Sequence, residues 1–343
     1  MGREYTKPHL SLEQQADLLM GRGLSADRNE LLRILHHVGY YRLSAYWYPF
    51  RKLDPQTGKC LDDFKAGTTL AKVWRNYVFD RELKRHLLDA IERIEVALRG
   101  MLAYYHTETH SPFDYADASY FPSWQGYEEK LKKFKKPQGS ARLNAPDYVL
   151  HFFEEYGSRH SHLPLWMAMG VADFGFIVFF FQYSSDEIKR KIANQLGVRI
   201  DTLKSWLHIL RLLRNDCAHH ARVWNRAFRS LPYIPKAGEN RYWSYVYQTD
   251  IKKWINPCGR KFSGFSLAES VDKIAAQIYI CRYLLGIIAP RSHWHERVEK
   301  CVDAFEQAGG CLEDMGLCQA WKAHPLWVGE SKRSGTPFPN SKF

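Results

Sequence analysis

The sequence of 343 residues lacks the features that mark secreted, zinc-ribbon and membrane-spanning proteins. Its seven cysteines are an odd number with no repeated short spacing, which argues against a disulfide framework and a zinc ribbon. The first residues hold no apolar signal core, so secretion is not expected. The apolar run 163–181 has the length of a membrane span, but Asp173 lies at its centre, where a carboxylate is costly in lipid. We therefore predict a cytoplasmic protein without membrane contact and interpret 163–181 as part of a buried helix.

Strand signals are missing as well. Alternating apolar and polar runs bounded by Asn-Gly or Asp-Gly turns do not occur, whereas apolar residues recur at helical spacing along most of the chain. The predicted fold class is all-α. The pattern predicts helices over 11–21, 26–37, 70–106, 147–157, 164–183, 185–195, 200–222, 267–288 and 293–308.

Breaks in the helical pattern suggest how the chain is organised. They fall at 54–58, at about 110–146 and at about 231–266, and none has the composition of a flexible linker. We predict an N-terminal helical, aromatic-rich segment, a helical core that carries a basic insertion, and a C-terminal segment with a tail. Their predicted bounds are 1–66 for the first segment, 67–308 for the core with the insertion at 110–146, and 309–343 for the last segment.

Positive charge exceeds negative charge: 49 lysines and arginines against 37 acids give a formal net charge of +12 at pH 7. A field of that sign attracts nucleic acid or an anionic membrane surface, and we favour nucleic acid. The densest basic run lies in the insertion and includes Lys132, Lys133, Lys135 and Lys136. This run is either a solvated face or a loop that grips RNA phosphates without reading sequence.

An aromatic segment over 40–48 offers a second candidate RNA contact. Tyr41 could stack on an unpaired base while Arg42 binds a phosphate. The alternative is that the segment is a helix packed against the core, which we favour because a core of this size needs many aromatic side chains.

The segment 200–222 brings charged and titratable side chains together on one predicted helix. A buried stripe is predicted at Leu203, Trp206, Leu210, Leu213 and Cys217. The opposite face then carries guanidinium, amide and imidazole groups, on Arg211, Arg214, Asn215, His219 and Arg222. Arginine grips phosphate through its planar fork and histidine titrates near neutral pH, so this face can hold a phosphodiester and move its protons. The structural alternative is a helix end whose arginine and histidine form ion pairs or caps.

The string Arg-Asn-Asp-Cys-Ala-His at 214–219 resembles the Arg-Asn-(any three)-His signature of the HEPN ribonucleases. Its continuation to Arg226 is similar to the abortive-infection (Abi) family of bacterial phage-defence proteins. Two further segments, 38–51 and 79–99, resemble the N-terminal motif and the first long helix of that family.

The resemblance implies a HEPN-like helical bundle and a metal-independent endoribonuclease that leaves 2′,3′-cyclic phosphate ends, with no cofactor. Arg214, Asn215 and His219 would be catalytic, and His220 would be a structural or RNA-contacting neighbour. HEPN ribonucleases pair two motif copies, and this chain shows one, so a homodimer through the motif face is expected. The expected partners are a single-stranded RNA substrate and a small non-coding RNA, in a bacterial cytoplasm.

Two further positions, Glu95 and Gly170, bear on which side chains orient the predicted catalytic residues. Glu95 either reaches Arg214 or His219 from a neighbouring helix, or forms a solvated pair with Arg99 four residues on. The family pattern often carries a glutamate where this chain has Gly170, so its role would pass to Asp173 or Glu95, or be left undone.

A different class of function also fits the residues. A non-catalytic RNA-binding protein, which forms a regulatory ribonucleoprotein with a non-coding RNA, would use the Arg/His face only to grip phosphates. DNA binding is disfavoured because no helix-turn-helix signal stands out.

Overall fold

The computed structural model describes residues 4, 6, 8–235, 239, 243, 246–248, 253–255 and 271–328. Within them the fold is all-α, as predicted. The predicted tail at 331–343 and residues 267–270 of a predicted helix lie outside the described residues.

Helices account for most of the described chain. In order they are α1 (Leu12–Gly21), α2 (Arg28–Val38), α3 (Tyr40–Trp47), α4 (Leu70–Thr107), α5 (Tyr127–Leu131), α6 (Ser140–Leu143), α7 (Asp147–Tyr156), α8 (Leu165–Val171), α9 (Phe174–Tyr183), α10 (Asp186–Gln195), α11 (Ile200–Ala218), α12 (Ile274–Ile288), α13 (Trp294–Gln307) and α14 (Pro325–Val328). Side-chain caps begin several of them: the Ser185 hydroxyl accepts from the Ile188 N–H at the start of α10.

Two short antiparallel hairpins interrupt the helices. The first pairs β1 (Arg51–Leu53) with β2 (Cys60–Phe64), and the second pairs β3 (Val246–Gln248) with β4 (Lys253–Ile255). The predicted break at 54–58 is the turn of the first hairpin. There the Asp54 N–H donates to the Lys59 carbonyl at 2.8 Å, and the Gly58 N–H donates to the Asp54 carbonyl at 2.8 Å. This turn was missed because it carries neither Asn-Gly nor Asp-Gly.

The chain divides into two compact units. One comprises Met1–Lys84 with Lys300–Cys311, and the other comprises Arg85–Glu299 with Leu312–Phe343. The predicted boundaries lay at 66/67 and 308/309. We refer to these as the first and second units.

A buried polar cluster lies in the core of the first unit. The Tyr46 hydroxyl donates to Asp80 Oδ2 at 2.7 Å, and Lys84 Nζ lies 2.7 Å from the same oxygen. All three residues are buried. Burial and the Asp80 charge raise the pKa of Tyr46, so its hydroxyl stays protonated and donates. The buried carboxylate is therefore paired and hydrogen-bonded, which offsets the cost of removing it from water.

The second unit is built around α11. The predicted apolar stripe is confirmed, because Leu203, Trp206, Leu210, Leu213 and Cys217 are all buried. Trp206 Nε1 donates to the Tyr233 carbonyl at 2.8 Å, and the Tyr283 ring of α12 meets the Trp206 ring edge-on with centroids 5.5 Å apart. This packing fixes which face of α11 is turned away from the core.

The single helix predicted over 164–183 is wrong: the segment forms α8 and α9. Ala172 and Asp173 are extended between them. The Asp173 carboxylate accepts from the Phe176 N–H at 2.7 Å, so it caps a new helix rather than continuing the old one. None of the helices in the described ranges combines the length and apolar character that a membrane crossing requires.

His106 gives the fold a pH dependence. It is 2% exposed on α4 and stacks on His110 with ring centroids 4.6 Å apart, and neither ring nitrogen has a hydrogen-bond partner among the described residues. Burial, with a smaller contribution from His110, lowers the pKa of His106 from 6.5 to about 4. Between pH 6.5 and 4, His106 is protonated in the unfolded chain but stays neutral in the folded chain. The free energy of unfolding therefore falls as pH drops from 6.5 towards 4.

We expect His106→Phe, which keeps a ring but cannot titrate, to raise Tm most at the acid end of that window. Thermal unfolding at several pH values between 4 and 7 measures this, with exposed His151→Phe as the control. An identical loss of Tm with falling pH in wild type and His106→Phe would contradict the assignment.

Candidate functional site

The last turn of α11 reverses sharply. The His219 N–H donates to the Asn215 carbonyl at 2.9 Å, the His220 N–H to Cys217 at 3.1 Å and the Ala221 N–H to Asp216 at 2.7 Å. The last two bonds are those of a Schellman motif, with His220 at its left-handed position, φ 60°. The helix therefore ends at Ala218.

The predicted helix over 200–222 is thus too long, and the reason is local. Glycine usually marks the left-handed position that ends a helix, and this chain has histidine there, at a cost of about 1 kcal/mol. Arg222 consequently does not share the helical face of Arg214, and His220 does not continue that helix. Strained backbone at a non-glycine residue is frequent at functional sites.

The three predicted catalytic side chains are accessible at this helix end. Arg214 is half-buried, while Asn215 and His219 are exposed. Among the residues that the structure describes, none of the three side chains forms an ion pair or hydrogen bond. The neighbouring acid, Asp216, is held by Arg226 at 2.9 Å. The structural alternative, in which Arg214 and His219 serve in ion pairs, therefore finds no partner within the described chain.

Arg211 lies one turn earlier and is oriented differently. Its guanidinium lies 5.3 Å from the centroid of the Phe179 ring of α9, and its buried Nε has no hydrogen-bond partner among the described residues. Arg211 therefore packs on an aromatic face through a cation–π contact, although it was predicted to contact RNA.

The chain that follows α11 returns to cover one side of the motif. The Arg226 guanidinium lies 5.1 Å from the Phe228 ring centroid. A pocket of about 540 Å³ opens there, and its lining includes Asn215, Asp216, Arg226, Phe228 and Arg229. Sequence reasoning missed this pocket, although Arg226 closes the string that carried the resemblance. Asn215 thus borders both the Arg/His end and a cavity that could hold part of a ligand.

The family model described as Abi-like protein matches residues 33–225, more than half of the chain. The chain belongs to this family. Every predicted site residue lies within the matched range, whereas Arg226 and Arg229 lie outside it. No curated protein and no solved structure matches the chain. Membership of the Abi-like family indicates a role in abortive infection, a bacterial defence against phage.

In this Abi-like chain, Glu95 supports a different helix from the one predicted. Its carboxylate binds Arg99, and that guanidinium also donates to the carbonyls of Met169 and Ala172, the latter at 2.7 Å. Glu95 and Arg99 are 15% and 19% exposed, so the pair is not a solvated face either. Together they satisfy carbonyls at the C-terminal end of α8. No contact from Glu95 to Arg214 or His219 is found in the described part.

The Gly170 departure lies at the same helix end. A Cβ at this position would come within 2.9 Å of the Tyr148 hydroxyl, so any larger residue requires Tyr148 to move. Asp173 is engaged by Lys133 Nζ at 2.6 Å and by the α9 amide it caps. Although burial opposes it, these two partners keep the pKa of Asp173 below its ordinary value. Asp173 therefore acts as a cap and ion-pair partner.

The four lysines of the basic run differ in their surroundings. Lys132 pairs with Glu129 at 2.5 Å and Lys133 with Asp173, while Lys135 and Lys136 are exposed. Lys133 Nζ also lies 4.7 Å from the Phe176 ring centroid. RNA phosphates would reach Lys135 and Lys136 freely but would compete with carboxylates for the other two.

The aromatic segment divides between two roles. Leu43, Tyr46 and Trp47 are buried, so one face of this helix packs on the core as the favoured alternative predicted. Tyr41 is 92% exposed, and the Arg42 guanidinium lies 5.8 Å from the Tyr77 ring centroid. Tyr41 and Tyr48, the latter 54% exposed, are thus the rings of this segment that are open to a ligand. Within the described ranges, no cluster of three His, Cys, Asp or Glu side chains is placed to bind a metal ion.

The Arg99 contacts predict a stability effect. Arg99→Ala leaves Glu95 and the α8 carbonyls without their charged donor, so we expect a loss of about 2–3 kcal/mol in the free energy of unfolding. Urea denaturation followed by tryptophan fluorescence measures it. Arg142→Ala is the control, because that arginine is 58% exposed and lies 3.6 Å from Glu154, a geometry worth at most about 1 kcal/mol. Equal losses in the two variants would refute the role of Arg99.

Proposed function

We propose that this Abi-like chain is a metal-independent endoribonuclease of the HEPN type that acts in abortive infection. The observation that carries the proposal is the end of α11. It presents a guanidinium, an amide and an imidazole to solvent, and no described residue pairs with their side chains. A cation kept without a carboxylate partner beside an accessible imidazole is suited to an anionic substrate.

The chemistry is transesterification of RNA. The ribose 2′-hydroxyl attacks the adjacent phosphorus, the bond to the 5′-oxygen of the next nucleotide breaks, and a 2′,3′-cyclic phosphate and a 5′-hydroxyl result. His219 moves protons in this step, and Arg214 stabilises the charge that develops on the phosphoryl oxygens. Asn215, at the border of the adjacent pocket, positions the imidazole or contacts the ribonucleotide.

The site is proposed to be completed by a second copy of the chain. Transesterification needs one group to accept the 2′ proton and another to protonate the leaving oxygen. The motif supplies one histidine at the helix end that is suited to this role, and its exposure leaves it accessible to another protomer. A homodimer that joins the two α11 ends provides both groups. A small non-coding RNA is proposed to act with the dimer or to restrain it.

The decisive test is cleavage of end-labelled single-stranded RNA in EDTA, with product ends mapped. We expect His219→Ala to lower the rate by about 10²–10⁴-fold, the usual contribution of a general acid or base, and to retain RNA binding. We expect Arg214→Ala to lose about 10²–10³-fold through lost charge stabilisation. Exposed His151→Ala and Arg190→Ala are the matched controls.

Products with 2′,3′-cyclic phosphate ends from wild type and the controls alone support the proposal. Tight RNA binding by all variants without cleavage by any, in protein freed of co-purified RNA, would replace it with the ribonucleoprotein interpretation.

The composite site predicts that one disabled chain impairs the whole dimer. A wild-type protomer paired with an Arg214→Ala/His219→Ala protomer lacks one of the two histidines that transfer protons, so we expect its cleavage rate to fall by at least about tenfold. Co-expression with two different tags isolates this mixed dimer, and a mixed dimer with Arg190→Ala in one protomer is the control. A mixed dimer that keeps half of the wild-type rate would argue that each chain acts alone.

A further inference from the structure

The first unit contains a pocket of about 680 Å³, well separated in sequence from the α11 motif. This volume falls within the range of about 300–1,000 Å³ that is usual for small-molecule sites. Its wall is aromatic on one side, formed by Tyr40, Tyr41, Trp47 and Tyr48. Arg22, Arg51 and Asp62 also line it. The pocket therefore combines flat apolar faces with positive charge.

The two arginines share one carboxylate. Arg22 Nη2 lies 2.6 Å from Asp62 Oδ2, and Arg51 Nη1 lies 3.2 Å from Asp62 Oδ1. Two guanidinium groups on one acid leave an excess of positive charge in the pocket. Asp62 is itself 61% exposed, whereas Arg22 and Arg51 are 22% and 18% exposed. The arginines are thus held in place, and the group of three carries one positive charge that Asp62 does not balance.

We propose that this pocket binds a nucleotide. The base stacks on the exposed rings of Tyr41 and Tyr48, which are 92% and 54% exposed, and the phosphate lies against Arg22 and Arg51. A simple anion would leave the aromatic wall unused, and an uncharged ring would leave the arginines unused. The nucleotide is either a free mononucleotide or one residue of an RNA strand.

Calorimetric titration of the full chain, in the His219→Ala background, tests this directly. Adenosine and uridine 5′-monophosphate and a short single-stranded RNA are the probes. We expect Tyr41→Ala to weaken binding about tenfold, the scale of one lost stacking contact. Asp62→Asn should tighten it several-fold, because the neutral amide releases the charge of both arginines. Tyr104→Ala removes a ring that is 64% exposed in the second unit and should change nothing.

The probes separate the two sources of the nucleotide. If Tyr41→Ala weakens binding of the monophosphate, the pocket binds free nucleotides. If it weakens binding of the oligonucleotide only, the pocket binds one residue of an RNA strand. If Tyr41→Ala and Asp62→Asn bind both probes as Tyr104→Ala does, the proposal is overturned. This inference does not depend on the proposed cleavage. If the wild-type protein cleaves no RNA but still binds the nucleotide, only the proposed nuclease activity is rejected.

Discussion

The reversal of the backbone at the end of α11 is the constraint on which the rest of the candidate site depends. Three backbone hydrogen bonds close the helix at His219, His220 and Ala221, and they force His220 into the left-handed region. Had the helix run on, His219 would be an ordinary side chain on a continuous face. Instead it lies at a helix end, and the chain returns so that Arg226 meets Asp216. The turn thus creates both the open end and the adjacent pocket.

The arginines of this chain differ in whether they form structural contacts or remain without a described carboxylate partner. Arg99 satisfies the end of α8, and Arg226 holds Asp216. These pairs leave the acids near the motif already occupied, so no described carboxylate competes with a substrate for Arg214. Asp216 lies two residues beyond Arg214, on a different face of the helix, and its carboxylate is bound by Arg226. The charge of Arg214 is therefore not neutralised by a described carboxylate, as the proposed function requires.

Much of this arrangement could be read from the sequence, and the failures share a cause. The apolar spacing identified α11 and its buried face because hydrophobic burial is periodic along a helix. The end of α11 and the α8–α9 break depend on single side chains, His220 and Asp173, in unusual conformations or caps. The spacing of apolar residues therefore does not predict either the helix end or the break. Contacts from distant segments, such as the Glu95–Arg99 clasp on α8, require the tertiary structure.

The same contacts connect the basic insertion with the α11 helix. Lys133 binds Asp173, and Asp173 caps α9. The Phe179 ring of α9 makes a cation–π contact with the Arg211 guanidinium. The exposed pair of Lys132 with Glu129 is worth at most about 1 kcal/mol, so it would oppose phosphate binding only weakly. Lys133 is less exposed, and drawing it away from Asp173 removes a charge from the cap of α9. The basic insertion is therefore linked to α11 through one helix, α9, which Asp173 caps and whose Phe179 ring contacts Arg211.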